Sequence, residues 1–203
     1  MADPINFPGT VDWSGENPGI SLKEDPDGPF TSVASFFRVV VSPHGRGQAL
    51  MLMMSPFVAD PPPTAGNYCF HDNEQLARYL VEDFVSYFGA WKDTPGLKNL
   101  KYLPLRSVTP LGNTTSMYRE HILGEYWDIA LTWTHFGAPF CFALPPEKSA
   151  TGKHWMPSTF VPATQATITV NGKTLPGKPV PREIAGNEIT TAFLAFSETW
   201  IRA

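Results

Sequence analysis

The spacing of apolar residues changes period along this chain. Between Asn73 and Trp91, the residues Leu76, Leu80, Phe84 and Phe88, with Tyr79, Tyr87 and Trp91 beside them, recur at helical spacing and form one wide apolar stripe. The pattern predicts one long amphipathic helix over 73–91. Asp72 stands as its N-cap, Gln75 completes a capping box, and Glu74 and Arg78 pair on the outer face. Thr94-Pro95-Gly96 ends it, because a residue before proline avoids helical geometry.

Before this segment come β-compatible runs, and after it the period is two. Runs at 36–41 and 48–54 read as a hairpin across the turn-rich Ser42–Gly47, which leaves His44 in the loop. Further strands are predicted at 100–108, 116–123, 126–136, 139–144, 164–170, 173–180 and 189–201. Val170-Asn171-Gly172-Lys173 is a type I′ hairpin signal, since Asn-Gly supplies two positive φ angles. Pro176, Pro179 and Pro181 restrict the returning strand to an edge. Residues 1–35, dense in Pro, Gly and Asp, read as an irregular arm, and Lys153–Met156 as a loop that offers a pocket lid.

Many strands and one helix predict an α+β fold, a single domain over 1–203. In it a mostly antiparallel sheet, curved or closed into a barrel, packs on or around the long amphipathic helix; a two-sheet sandwich is the alternative. With 42% hydrophobic residues and 13% aromatic ones, the core is rich in large rings.

Charge narrows the partners. Only 17% of the residues are charged, the formal net charge is −4, and the 15 Lys and Arg are dispersed, which argues against nucleic acid. The longest apolar run, Ala49–Met54, is too short to span a membrane. The amino terminus lacks a basic start followed by an apolar stretch, so a cytoplasmic location is expected. Cys69 and Cys141, each beside aromatic residues, are expected as buried thiols. The five histidines show no ligand spacing for a metal, and no phosphate-loop or dinucleotide signature is present, so no cofactor is expected.

Candidate chemistry comes from one hairpin. Leu123-Gly124-Glu125-Tyr126 reads as a type II′ turn with Gly124 at the first central position. That register pairs Leu123 with Tyr126, Ile122 with Trp127, His121 with Asp128, Glu120 with Ile129, Tyr118 with Leu131 and Thr114 with His135. One face then carries Tyr118, Ile122, Trp127, Ile129, Leu131 and Trp133, and Glu120 and His135 point the same way. A carboxylate among such residues has a raised pKa and suits a general acid or base, with His135 as shuttle or anchor and Tyr118, Trp127 and Trp133 as ligand-binding walls. The structural alternatives are a Glu120 at the rim or paired with an arginine, and a His135 bonded to a backbone carbonyl. On the opposite face His121 and Asp128 form the His–Asp half of a nucleophilic arrangement, or a solvated cross-strand pair, with no Ser or Cys elbow to accompany them.

Two functions follow. One is a cofactor-independent enzyme or carrier for an apolar, aromatic or terpenoid-like small molecule, working by acid–base isomerisation, hydration, cyclisation or elimination. The other is a non-catalytic binding or assembly module whose apolar surplus forms a homo-oligomer interface.

Overall fold

The computed structural model describes residues 6–203. Its strands are β1 (Thr10–Glu16), β2 (Gly19–Leu22), β3 (Ser32–Val41), β4 (Gly47–Met53) and β5 (Asn67–His71), then α1 (Glu74–Asp83) and α2 (Pro95–Lys98). There follow β6 (Lys101–Gly112), β7 (Met117–Gly124), β8 (Asp128–Phe136), β9 (Phe140–Leu144) and the 17-residue β10 (His154–Val170). The chain ends with β11 (Lys173–Thr174), β12 (Pro181–Ile184), β13 (Asn187–Thr190), β14 (Ala192–Phe196) and β15 (Glu198–Arg202).

Thirteen of these strands make one large curved sheet with the path β1-β15-β10-β14-β2-β3-β4-β5-β6-β7-β8, while β12 and β13 pair only with each other. It is not a closed barrel: the ends of the path, β1 and β8, do not pair, and β8 folds back onto the second half of β10. β10 is long enough to change neighbours midway, with β9, β14 and β15 along its first half and β8 and β11 along its second. The parallel pair β5–β6 needs a crossover, and the helical segment supplies it.

Burial on both faces explains why β3 and β4 are almost continuously apolar. Ala34, Phe36, Leu50 and Leu52 point into the concave side with Ile122, Ile129, Leu131 and Trp133. Val33, Phe37, Val39, Met51 and Met53 point to the other side, where the helical segment covers them.

Several expectations need correcting. Residues 10–16 and 19–22 are strands, not part of an irregular arm. Their apolar residues alternate too briefly between the Pro-Gly clusters to show a period, yet Trp13 and Ile20 are fully buried. The helix is short: α1 has 10 residues, and Phe84 leaves helical geometry at φ −132°. The stripe is still inward, with Leu76, Leu80 and Phe84 buried, because the turn at Phe84 carries its ring onto Trp13 and Trp200. Asn73 is the N-cap, its Oδ1 accepting from Leu76 N, while Asp72 accepts from Gln48 N of β4. His154 opens β10, so 154–156 are strand. Cys69 is buried but Cys141 is exposed. Asn171 (φ 49°) and Gly172 (φ 77°) adopt the expected turn, but the strand after it ends at Thr174, two residues before Pro176. Among the described residues no helix is long and apolar enough to cross a membrane.

Candidate active site

The hairpin of β7 and β8 forms in a register two residues from the expected one. Leu123 faces Asp128, Ile122 faces Ile129, Glu120 faces Leu131 and Tyr118 faces Trp133. Gly124 N donates to Trp127 O, so the two-residue loop is Glu125-Tyr126, and Gly124 lacks the positive φ that a type II′ turn requires. A shift of two preserves the faces. Glu120, Ile122, Ile129, Leu131 and Trp133 are all fully buried on the concave side.

Glu120 is matched there by charge. Arg38, on the same side of β3, donates from Nη2 to both its carboxylate oxygens at 2.9 Å, and Tyr118 Oη donates to Oε1 at 2.8 Å. Arg38 also holds Glu16 of β1. Burial pushes the Glu120 carboxyl up while Arg38 and Tyr118 pull it down, and burial also raises the Tyr118 hydroxyl. Tyr118 and Trp127 pack against the concave core: Trp127 lies on Tyr68 and Phe70, and Trp133 is inside, its Nε1 donating to Gly19 O.

His135 does not join Glu120. Its φ of 57° breaks the alternation at the end of β8, leaving the side chain exposed with Nδ1 3.1 Å from Thr134 Oγ1. His121 and Asp128 meet diagonally rather than opposite each other, Nε2 to Oδ1 at 2.8 Å, on the outer face with substantial exposure of both.

A different carboxylate occupies a cavity. β14 and β15 both run along β10, and their partner numbers step by one across Ser197, which has φ 53°. That single extra residue is a bulge, and it reverses the faces. Ala192 and Leu194 point to the concave core, whereas Glu198 and Trp200 point to the helical side. Glu198 is 3% exposed. Its Oε1 accepts from Trp200 Nε1 at 2.8 Å and Asn17 Nδ2 at 3.2 Å. Ser35 Oγ donates to Asn17 Oδ1 at 2.6 Å, which turns the amide so that its nitrogen is left for Glu198. Both of these hydrogen bonds fall on Oε1, and none is made by Oε2 among the described residues.

Glu198 lines a cavity of about 280 Å³ between the sheet, the segment after α1 and the β12–β13 hairpin. Phe88, Met156, Phe160, Phe193 and Trp200 form its apolar wall. Arg182 of β12 and Lys148 are its cations, and both side chains reach solvent. Burial raises the Glu198 carboxyl to about 7, against the pull of Trp200, Asn17 and the charge of Arg182. Alternation predicts one strand over 189–201 and gives Glu198 no special place within it. The available signal was the polar pair Ser197-Glu198 interrupting Ala192–Phe196 and Thr199–Ile201.

A third buried array joins Asp12 Oδ2 to His154 Nε2 at 2.7 Å and His154 Nδ1 to Thr151 Oγ1 at 2.6 Å, with Arg202 also on Asp12. It has the order of a charge-relay chain. His154 is 0% exposed between Phe84 and Trp200, beyond the reach of a substrate, and the array ties β1 to β10 and β15. Among the described residues, no group of three or more His, Cys, Asp or Glu side chains is placed to hold a metal ion. Comparison of the chain with protein-family models, curated proteins and solved structures finds no match.

Proposed function

We propose that the chain binds a small apolar molecule in the cavity at Glu198 and that Glu198 is its acid–base group, in a cofactor-independent proton transfer of the isomerisation, hydration or elimination kind. The observation that carries this reading is a nearly buried carboxylate lining an aromatic cavity, with both its hydrogen bonds, from Trp200 and Asn17, on one oxygen and none on the other. A carboxyl poised near 7 takes and returns protons at neutral pH with little cost in either direction. The volume lies at the lower limit for ligand pockets, so the molecule is small. Glu120 fits the role less well, because Arg38 and Tyr118 occupy both its oxygens.

The test begins with ligand-observed NMR against small aromatic and aliphatic fragments, using Gly89→Trp as the blocked control. Gly89 lines the cavity, and a Cβ added there meets nothing within 4 Å, so a side chain can start from this position and a large one is placed to fill the mouth. Fragment binding that vanishes in Gly89→Trp is expected; binding that ignores the substitution, or no binding, rejects the cavity. For any substrate so found, Glu198→Gln keeps the shape and lowers turnover by about 10²-fold or more while binding persists.

A further inference from the structure

Arg182 gives the cavity a second chemical feature. Its guanidinium carbon stands 4.7 Å from the centre of the Phe193 ring, and Phe193 in turn stacks on Phe160 at 4.7 Å with the rings 6° from parallel. The paired rings give the guanidinium a cation–π seat beside the cavity. Arg182 makes neither an ion pair nor a hydrogen bond with a side chain among the described residues, although its charge is felt at Glu198. A fork of donors thus stands at the rim of an aromatic cavity without a hydrogen-bond acceptor among the described residues. The charged or titratable side chains lining the cavity are Glu198, Arg182 and Lys148, two cations and one acid.

We propose that the occupant of this cavity is a small aromatic or unsaturated monocarboxylate, its carboxylate paired with Arg182 and its apolar body lying against Phe193, Phe160 and Trp200. This rests on the reading of the cavity as a ligand site. A carboxylate matches the guanidinium fork in two parallel hydrogen bonds, which a neutral polar group does not. Lys148 adds a second positive charge at the rim, and the apolar wall takes the rest of the molecule. Binding has a consequence for Glu198. The anion cancels the positive charge that Arg182 exerts on it and brings a negative charge close by, and both favour the protonated acid. A monocarboxylate is thus bound together with a fraction of a proton near neutral pH, and Glu198 is loaded as a general acid by its own ligand.

Isothermal titration calorimetry tests this with benzoate and trans-cinnamate as probes, and with benzamide and cinnamyl alcohol as their neutral counterparts. Titrations at pH 7 are run in phosphate and in Tris, whose ionisation enthalpies differ. The expected result is carboxylate binding, weakened roughly ten-fold or more for the neutral counterparts and for Arg182→Gln. Proton uptake between zero and one per ligand is expected in the wild-type chain, and none in Glu198→Gln. Neutral and charged probes binding equally well, with Arg182→Gln unchanged, overturns the carboxylate assignment and leaves the cavity reading standing. Binding of all probes that survives Gly89→Trp overturns the cavity reading itself. Carboxylate binding without proton uptake overturns the link to Glu198.

Discussion

Glu120 and Glu198 are both buried glutamates on β-strands of the same sheet, and burial raises the carboxyl of each. They differ in what surrounds them. Glu120 faces the concave core with Arg38 across both oxygens and Tyr118 on one, a closed set that ties β7 to β3 and, through Glu16, to β1. Glu198 has two neutral donors on one oxygen, a cation that acts without forming an ion pair, and space beside the other oxygen. A buried charge matched by an opposite one belongs to the architecture. A buried acid matched only by dipoles is maintained at a cost to stability, which is the condition expected of a working site.

The sharpest way to break this comparison is to remove the cation from the matched site. Arg38→Met leaves Glu120 buried with only the Tyr118 hydroxyl and is expected to destabilise the fold by about 3–5 kcal/mol in denaturant unfolding at pH 7. Arg38→Met combined with Glu120→Leu should recover most of that loss, because the uncompensated charge is gone. A single variant within about 0.5 kcal/mol of wild type would show that the network contributes little and that Glu120 is as free to titrate as Glu198.

Glu198 should behave in the opposite sense. The folded chain holds this proton up to about pH 7, whereas the unfolded chain releases it in the ordinary glutamate range near 4.5. Between those values the folded state binds more protons, so its stability falls as pH rises across them. The shift corresponds to about 3 kcal/mol. Glu198→Gln keeps an oxygen acceptor for Trp200 and Asn17 and is expected to be more stable than wild type by up to that amount at pH 8. The two should converge by pH 4, where both states of the wild type are protonated. A variant less stable than wild type at pH 8 would mean that Glu198 is an ordinary structural ion.

Only the Glu120 side of this contrast is legible along the sequence. Alternation put Glu120 among Trp and Ile residues, and it is buried there, since a register error of two residues leaves every face unchanged. Arg38 was invisible as its partner because the two are 82 residues apart and meet only when the sheet curves. His135 was misplaced by its own positive φ, which alternation does not foresee. The helical stripe points inward as far as Phe84, as its spacing predicts, whereas the helix ends at Asp83, because Phe84 leaves helical geometry at φ −132°, which periodicity does not foresee. Glu198 was missed for a related reason. A strand-length run was assumed to keep one phase, and one residue in left-handed geometry shifted it.

That residue supplies the smallest and most specific prediction. Ser197 has φ 53°, a region that glycine enters freely and that costs a residue with a Cβ about 1 kcal/mol or more. Glycine also gains more freedom in the unfolded chain, which offsets part of the relief. Ser197→Gly is therefore expected to stabilise the fold by only about 0.5 kcal/mol. Its value lies in what should stay constant. The bulge is fixed by β10, which pairs with β14 through Thr159–Pro162 and with β15 through His154 and Trp155 on either side of it. If that long strand sets the phase, Ser197→Gly keeps Glu198 facing the cavity and preserves the fall in stability between pH 4 and pH 8. If Ser197 itself sets it, the loosened strand recovers a single phase, Glu198 turns toward the concave core, and both that pH dependence and fragment binding change together.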